Sequence, residues 1–444
     1  MSAPYAYSSD YFKAVESCNS IPELISAMAD YSGYIRQAAI ARAVKLAHWT
    51  FLPCLAARLN DWVPQVRHAA RSALITLLPT LPSDAVLAIL PTIASLRNAG
   101  RHDHSAWLET FEHELLKHIK RNVIAEKVLG NDIKVARACF DILLRRSAPD
   151  TANAIQTGLK SKDIVTGLRA AHAIAELAQD ERDLACEVAL LSRFGAIRAI
   201  GLRAYLDGTA SPVKHATATE RLLDLQSSVR AIAMAWLVAK RFDVRAYYHQ
   251  ILASSTSSSP QLRVSLAALC TFRQRDDAGP VRNFIAHPII AVRAAAYAAW
   301  FKLAEDDKDQ IAVKALGDEG ERVKKLAIEM VARHGAYIPF ATACALLNSP
   351  RNWPRLMRLG GNGKWDTLEA IARIAPSADA QMRMMLQSEL INSMVQPLIF
   401  ARPTTAQAAF LRSEEAHAAL AALAGRDVRN HVERELALAL AKTR

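Results

Sequence analysis

The side chains best equipped for chemistry crowd into RHDHSAWLETFEHELLKHIKR, residues 101–121. His102, Asp103, His104, Glu109, Glu112, His113 and His118 all stand within it. A His-x-His pair beside a carboxylate can ligate zinc or iron, and Glu109 and His113, four residues apart, share one face of a helix. His102, His104 and His113 are therefore the candidate metal ligands. The stretch contains no H-E-x-x-H, so the competing reading is a polar entry loop followed by a solvated amphipathic helix. On that reading no metal or other cofactor is called for.

A second candidate is RLGGNGKWDTLEA, residues 358–370, where a glycine-rich turn precedes a lysine. A phosphate-binding loop needs glycine five residues before Gly363, where Arg358 stands, and Ser or Thr after Lys364, where Trp365 stands. The stretch reads instead as an inter-repeat loop with a helix starting at Asp366. No Gly-x-Ser-x-Gly or H-R-D signature occurs, and His68 and His172 lie among alanines on helical stretches. Catalysis has little to stand on, and the chain is read as non-enzymatic. The cysteines, at 18, 54, 139, 186, 270 and 344, show no C-x-x-C or paired spacing. They read as small core residues in a reducing compartment.

The residue type that does recur in register is arginine. It appears in SGYIRQAAIARAVKL, DWVPQVRHAARSAL, KDIVTGLRAAHAIAEL, FGAIRAIGLRAYL, LQSSVRAIAMAWLVA, SPQLRVSLAAL, PIIAVRAAAYAAWFKLA and EGERVKKLAIEMVA. The basic positions are Arg36, Arg67, Arg169, Arg198, Arg230, Arg263, Arg293 and Lys324, with steps of 31, 102, 29, 32, 33, 30 and 31. The long step holds about three periods, one copy being NDIKVARACFDILL and another lying in the degenerate stretch around 98–116.

Each unit reads as two helices. In the second, apolar or small residues fall at i, i+4, i+7 and i+8, as in Val66, Ala70, Ala73 and Leu74, which makes a helical stripe. Alanines let neighbouring helices approach. Amphipathic runs such as IPELISAMA and TFLPCLAARL precede them, and Pro79, Pro82, Pro149, Pro212, Pro260 and Gly335 punctuate the boundaries. No β-alternating segment of useful length appears. The expected fold is all-α: a right-handed α–α superhelix of about twelve to thirteen helix pairs, with residues 1–335 the repeat solenoid and 336–444 degenerate helical repeats that continue or cap it.

Composition agrees, with 51% hydrophobic and 22% charged residues, enough for an extensive core. The net charge of +12 favours acidic partners, but the excess is spread along the chain with no basic tail. The N-terminus lacks a signal-peptide pattern and no apolar run reaches membrane-span length, so a cytoplasmic protein without a membrane partner is expected.

The pattern resembles HEAT repeats, and the short period is most similar to the HEAT-like repeats of bacterial proteins, including the phycobilin-lyase-type group. The resemblance covers residues 21–335 and thins beyond. It implies a solenoid that binds a partner along its inner surface. It also implies a ladder of Asp in the inter-helix turn and Arg early in the second helix. Here the acid precedes the base by six in Asp30/Arg36, Asp61/Arg67, Asp163/Arg169, Asp224/Arg230 and Asp318/Lys324, while Ser192, Ser257 and His287 replace it elsewhere. A carboxylate so placed can cap the helix and accept from the Arg of an adjacent repeat.

Trp236 and Trp300 occupy corresponding places late in their second helices. Repeat-equivalent aromatics read first as core. The alternative is an inner-surface patch of Arg203, Trp236, Tyr297, Trp300 and Lys325. The leading functional expectation is a non-enzymatic protein-binding solenoid that clasps an acidic protein: an adaptor, an assembly factor, or in a bacterial setting an inhibitor such as a toxin-neutralising immunity protein. Two alternatives come from relatives of the same fold, namely a nucleic-acid binder like the HEAT-like alkylpurine DNA glycosylases and a chromophore lyase or chaperone. No motif carries their site residues onto this chain.

Overall fold

The computed structural model describes residues 9–146, 148, 150–347, 352, 355–356, 359, 364–395, 402–424 and 427–441. Pro149, Arg358 and Gly363 lie outside them, as does the side chain of Cys344. Among the described residues the regular structure is entirely helical. The chain packs as two compact units, Met1–Phe242 and Asp243–Arg444. The change of character expected at residue 335 falls inside the second unit. There Gly335, at φ 70°, ends the helix Glu321–His334 with a left-handed cap.

In the first unit, short first helices alternate with longer second ones: Ile21–Ala27 with Gly33–Leu46, Leu52–Arg58 with Pro64–Leu77, Arg121–Val128 with Ile133–Arg145, Thr151–Leu159 with Ile164–Ala173, and onward to Ser227–Ala239. The degenerate stretch is a repeat too, with Ser105–His118 in the second-helix place. In the second unit, Ser259–Leu269, Ile290–Leu303 and Glu321–His334 are successive second helices, each packed on the next.

Small residues set the spacing between helices. Val66, Ala70, Ala73, Leu74 and Leu77 are buried on one face of Pro64–Leu77, which packs on Gly33–Leu46, where Ala39 and Ala43 are buried. Gly158 marks a close approach. A Cβ there would stand 2.3 Å from Phe140 Cε2 and 2.7 Å from Ala170 Cβ, so only glycine lets these three helices meet.

The turn between the helices of a repeat does three separate jobs at one position. First, the side chain closes the turn by accepting the amide two residues on. Asp30 takes Ser32 N–H, Asp61 takes Val63, Asp224 takes Gln226 and Asp318 takes Gly320, at 2.7–3.0 Å. Ser192 Oγ and His287 Nδ1 do the same for Phe194 and Ile289. Among these six-spaced acids, Asp163 differs in being the helix N-cap itself, accepting from Thr166 N–H.

Second, the main-chain carbonyl of that position accepts from the arginine six residues later. The pairs are Arg36 with Asp30 O, Arg67 with Asp61 O, Arg198 with Ser192 O, Arg230 with Asp224 O and Arg293 with His287 O, at 2.7–3.0 Å. The six-residue spacing therefore records an arginine-to-carbonyl bond. Serine and histidine can stand there because the carbonyl persists.

Third, the carboxylate takes the arginine of the preceding repeat. Arg36 reaches Asp61, Arg137 reaches Asp163, Arg198 reaches Asp224 and Arg293 reaches Asp318, all at 2.6–2.9 Å and three of them as two parallel bonds. The ladder arginine for Asp163 is thus Arg137, whereas Arg169, whose next repeat offers only Ser192, turns back to Asp141. Arg67 binds the carbonyls of Asp61 and Trp62, and Asp318 is held by Arg293 rather than by Lys324.

Electrostatics follow this geometry. At Asp61, Asp224 and Asp318, burial would raise the carboxyl pKa, but the arginine and amide hydrogen bonds outweigh it and hold each below the usual range. At Asp163 the Arg137 bonds dominate and depress it furthest.

Candidate interaction surface

The residues expected to form an aromatic patch are distributed differently by the fold. In the first unit Arg203 is exposed on Gly195–Leu206. Trp236 is half-buried, its indole N–H donating to Leu206 O at 3.2 Å, with Lys240 Nζ 5.7 Å from the ring centroid. In the second unit Lys325 is exposed, but Tyr297 and Trp300 are core residues at 4% and 8% exposure. Their faces are covered because Ile290–Leu303 is sandwiched between the helices before and after it, and the Arg282 guanidinium lies 5.2 Å from the Trp300 ring. Tyr297 and Trp300 therefore serve packing and offer no open ring to a partner.

The histidine stretch resolves into separate environments. His104 is buried, with Nδ1 2.8 Å from Arg71 Nη2 and Nε2 3.4 Å from Asn60 Oδ1. A guanidinium only donates, so Nδ1 is an acceptor here and is already taken. Burial, followed by the Arg71 charge, keeps the His104 pKa below its ordinary value. The His102 ring stands edge-on to His104, and His113 is exposed on the helix beyond. Among the described residues no three His, Cys, Asp or Glu side chains converge as a metal site. Lys364, at the end of the glycine-rich stretch, is buried against Glu435 at 2.6 Å.

Glu112, from the same stretch, has a role that the sequence did not show. Its carboxylate is buried and accepts from Arg97, Arg145 at 2.7 Å and Arg146 at 3.2 Å. Arg145 also approaches Asp141, which holds Arg169. Four guanidiniums thus meet two carboxylates. In the second unit Asp277, fully buried, accepts from Arg245 at 2.7 Å and lies 2.8 Å from His249 Nε2.

Two further surface features were missed. Tyr31, Trp62, Ile133, Ile164 and Leu225 each directly follow the turn aspartate of their repeat, and all five remain exposed. The signal was available in the sequence, since an apolar residue outside the helical stripe at a fixed repeat position has no core to enter. The second feature is a cavity of about 680 Å³ in the second unit. It opens where Ser259–Leu269, Ile290–Leu303 and Glu321–His334 end and Lys308–Leu316 begins. Ala267, Phe301 and Leu303 give it apolar walls, and Arg273, Arg275, Lys302, Lys308 and His334 give it a basic rim.

No family model matches the chain, and no curated protein matches it. Solved helical-repeat structures do. Importin beta in a polyethylene glycol condition is 12% identical with a TM-score of 0.33, over 98% of this chain and 69% of that one. The karyopherin Kap121p bound to the extreme C-terminus of the protein phosphatase Cdc14p is 14% identical at 0.32, and Kap121p bound to Nup53p is 14% identical at 0.30. Each of these two covers 89% of this chain, which spans half of theirs. Similarity this remote transfers neither residue roles nor ligands.

The cysteines bear on chemistry. Burial pushes the thiols of Cys139 and Cys186 up to about 12, and raises those of Cys54 and Cys270 as well. None of these four is poised as a thiolate nucleophile. No helix among the described residues is long and apolar enough to cross a membrane.

Proposed function

We propose that the chain is a non-enzymatic protein-binding solenoid that clasps an acidic protein partner along the faces formed by its second helices, acting as an adaptor, assembly factor or inhibitor. The observation that carries this reading is a sorting of charge by depth. The carboxylates of Asp61, Asp163, Asp277 and Glu112 are 0–6% exposed, whereas Arg58, Arg137, Arg245 and Arg97, which bind them, are 28–45% exposed. In these four pairs the acid is drawn inward and the guanidinium stays nearer the surface, whereas in the Arg36–Asp61 rung both partners are buried. These guanidiniums add to the net charge of +12 in favouring an acidic partner.

The test is capture of partners by the tagged full-length chain from its native cell extract, with nuclease treatment and a salt series, read by mass spectrometry. The expected result is one stoichiometric acidic protein that survives nuclease and is released as salt rises. Recovery of nucleic acid alone, or of a basic protein held regardless of salt, would overturn the proposal.

A further inference from the structure

We infer that the cavity rimmed by Arg273, Lys302 and Lys308 docks an acidic-apolar segment of the protein partner, in which glutamate or aspartate alternates with aliphatic or aromatic residues. This rests on the protein-binding reading and gives it a place and a ligand chemistry.

The volume, about 680 Å³, lies within the range of sites that enclose a few side chains. Its walls are mixed in a particular way. Phe301, packed on His334 with ring centroids 6.0 Å apart, lies with Ala267 and Leu303 on the apolar side. The charged lining is Arg273, Arg275, Lys302 and Lys308 against Glu305. Arg275 stands 3.5 Å from Asp306, but both are more than four-fifths exposed, so that pair does little to occupy the guanidinium.

Lys302 sits in the last turn of its helix, where a cation complements the dipole. Lys308 is the first residue of Lys308–Leu316, standing between Asp307 and Asp309. Arg273 has a left-handed backbone, φ 52°, a conformation that costs energy for any residue with a Cβ.

The mixed lining points to a peptide ligand. Cations and apolar side chains line the same cavity, so a chain carrying carboxylates beside aliphatic or aromatic residues would use both, whereas a phosphate would use the cations alone. Cys270 also lines the site, with Sγ directed at Leu266 O and Ala299 O, and burial raises its thiol pKa. The cavity is suited to binding and not to thiolate chemistry.

The test is fluorescence anisotropy at low salt with the full-length protein and a short fluorescein-labelled peptide alternating glutamate with leucine. The expected result is saturable binding, about tenfold weaker for a glutamate–serine peptide and for Lys308→Glu. Because Lys308→Glu completes an unbroken acidic run from Glu305 to Asp309, its Tm is read beside its affinity, and weaker binding at an unchanged Tm is assigned to the cavity. Lys302→Gln should weaken binding in the same direction. Unchanged affinity in both variants, or full displacement by inorganic phosphate, would overturn the inference. The captured native partner separates the two readings: a partner still held by Lys308→Glu removes the cavity and keeps the protein-binding function. Recovery of no acidic partner removes that function, while the peptide result still decides the cavity.

Discussion

Arg36 Nη2 meets Asp61 Oδ1 at 2.8 Å across twenty-five residues of chain, and both side chains are closed to water. The guanidinium also binds the carbonyls of Asp30 and Tyr31, so it ties its own turn to the next repeat. Removing one partner of a buried pair typically costs about 3–5 kcal/mol; Arg58, 3.1 Å from Asp61, keeps part of the compensation, while the carbonyls bound by Arg36 lose their donor. Arg67 holds carbonyls only, and its loss forgoes about 1–2 kcal/mol. Arg36→Ala should therefore lower the Tm clearly more than Arg67→Ala in thermal unfolding. Equal losses would show that the cross-repeat pair is not the rung that matters.

The same carboxylates set a pH dependence. Asp61, Asp163, Asp224 and Asp318 have folded pKa values below the unfolded value of about 3.9. Between those values the unfolded chain binds more protons, so stability rises with pH there. The contribution is present above the unfolded pKa and is lost as pH falls through the folded ones. The Tm should hold from neutral pH toward 5 and drop steeply below about 4. Asp163→Asn should start lower and drop less steeply, and a parallel fall in both proteins would remove Asp163 from the account.

Gly158 tests how closely the helices approach. Any added Cβ would overlap Phe140 and Ala170, both of which are buried. Gly→Ala in an exposed helix ordinarily gains stability through propensity. Here overpacking should win, costing about 1–3 kcal/mol, and Phe140→Leu should recover part of the loss by opening the space. A Gly158→Ala protein of unchanged or higher Tm would refute the close approach.

Trp300 and Arg203 separate core from surface. Trp300→Ala should cost about 3–5 kcal/mol by emptying a buried site, whereas Arg203→Glu and Lys325→Glu should stay within about 0.5 kcal/mol. Any effect of the two exposed residues should appear in partner affinity and its salt dependence. A Trp300→Ala protein that keeps its Tm and loses its partner would reverse the assignment.

These contrasts show where the sequence was informative. The helix pairs were legible because a stripe such as Val66, Ala70, Ala73 and Leu74 recurs with the repeat, and periodic burial is what a helix stack demands. The six-residue interval from Asp61 to Arg67 was legible as a spacing but not as a bond, since nothing in the residue types says that the carbonyl, not the carboxylate, is the acceptor. Arg36 and Asp61 are each periodic, so their pairing across repeats leaves no separate mark. Arg137 was out of frame with its neighbours, although it fills the rung below Asp163. The cavity lined by Cys270 arises where three helices end and a fourth begins, a juxtaposition that only packing creates.

Glu112 allows a last and sharper test of long-range assembly. Its acceptors serve Arg97, Arg145 and Arg146, which stand between 15 and 34 residues away in sequence. With the carboxylate in place, the three guanidiniums converge; without it, they repel one another in a half-buried site. Glu112→Gln keeps the shape and removes the charge, and it should destabilise by about 3–5 kcal/mol. Arg97→Met should then behave oppositely in the two backgrounds. In the native protein it removes an attraction and lowers the Tm, whereas in the Glu112→Gln protein it relieves repulsion and raises it. A double-mutant cycle read by thermal unfolding isolates that coupling. Additive losses would mean that the three arginines are held by packing of their stems, and that Glu112 is not their organiser.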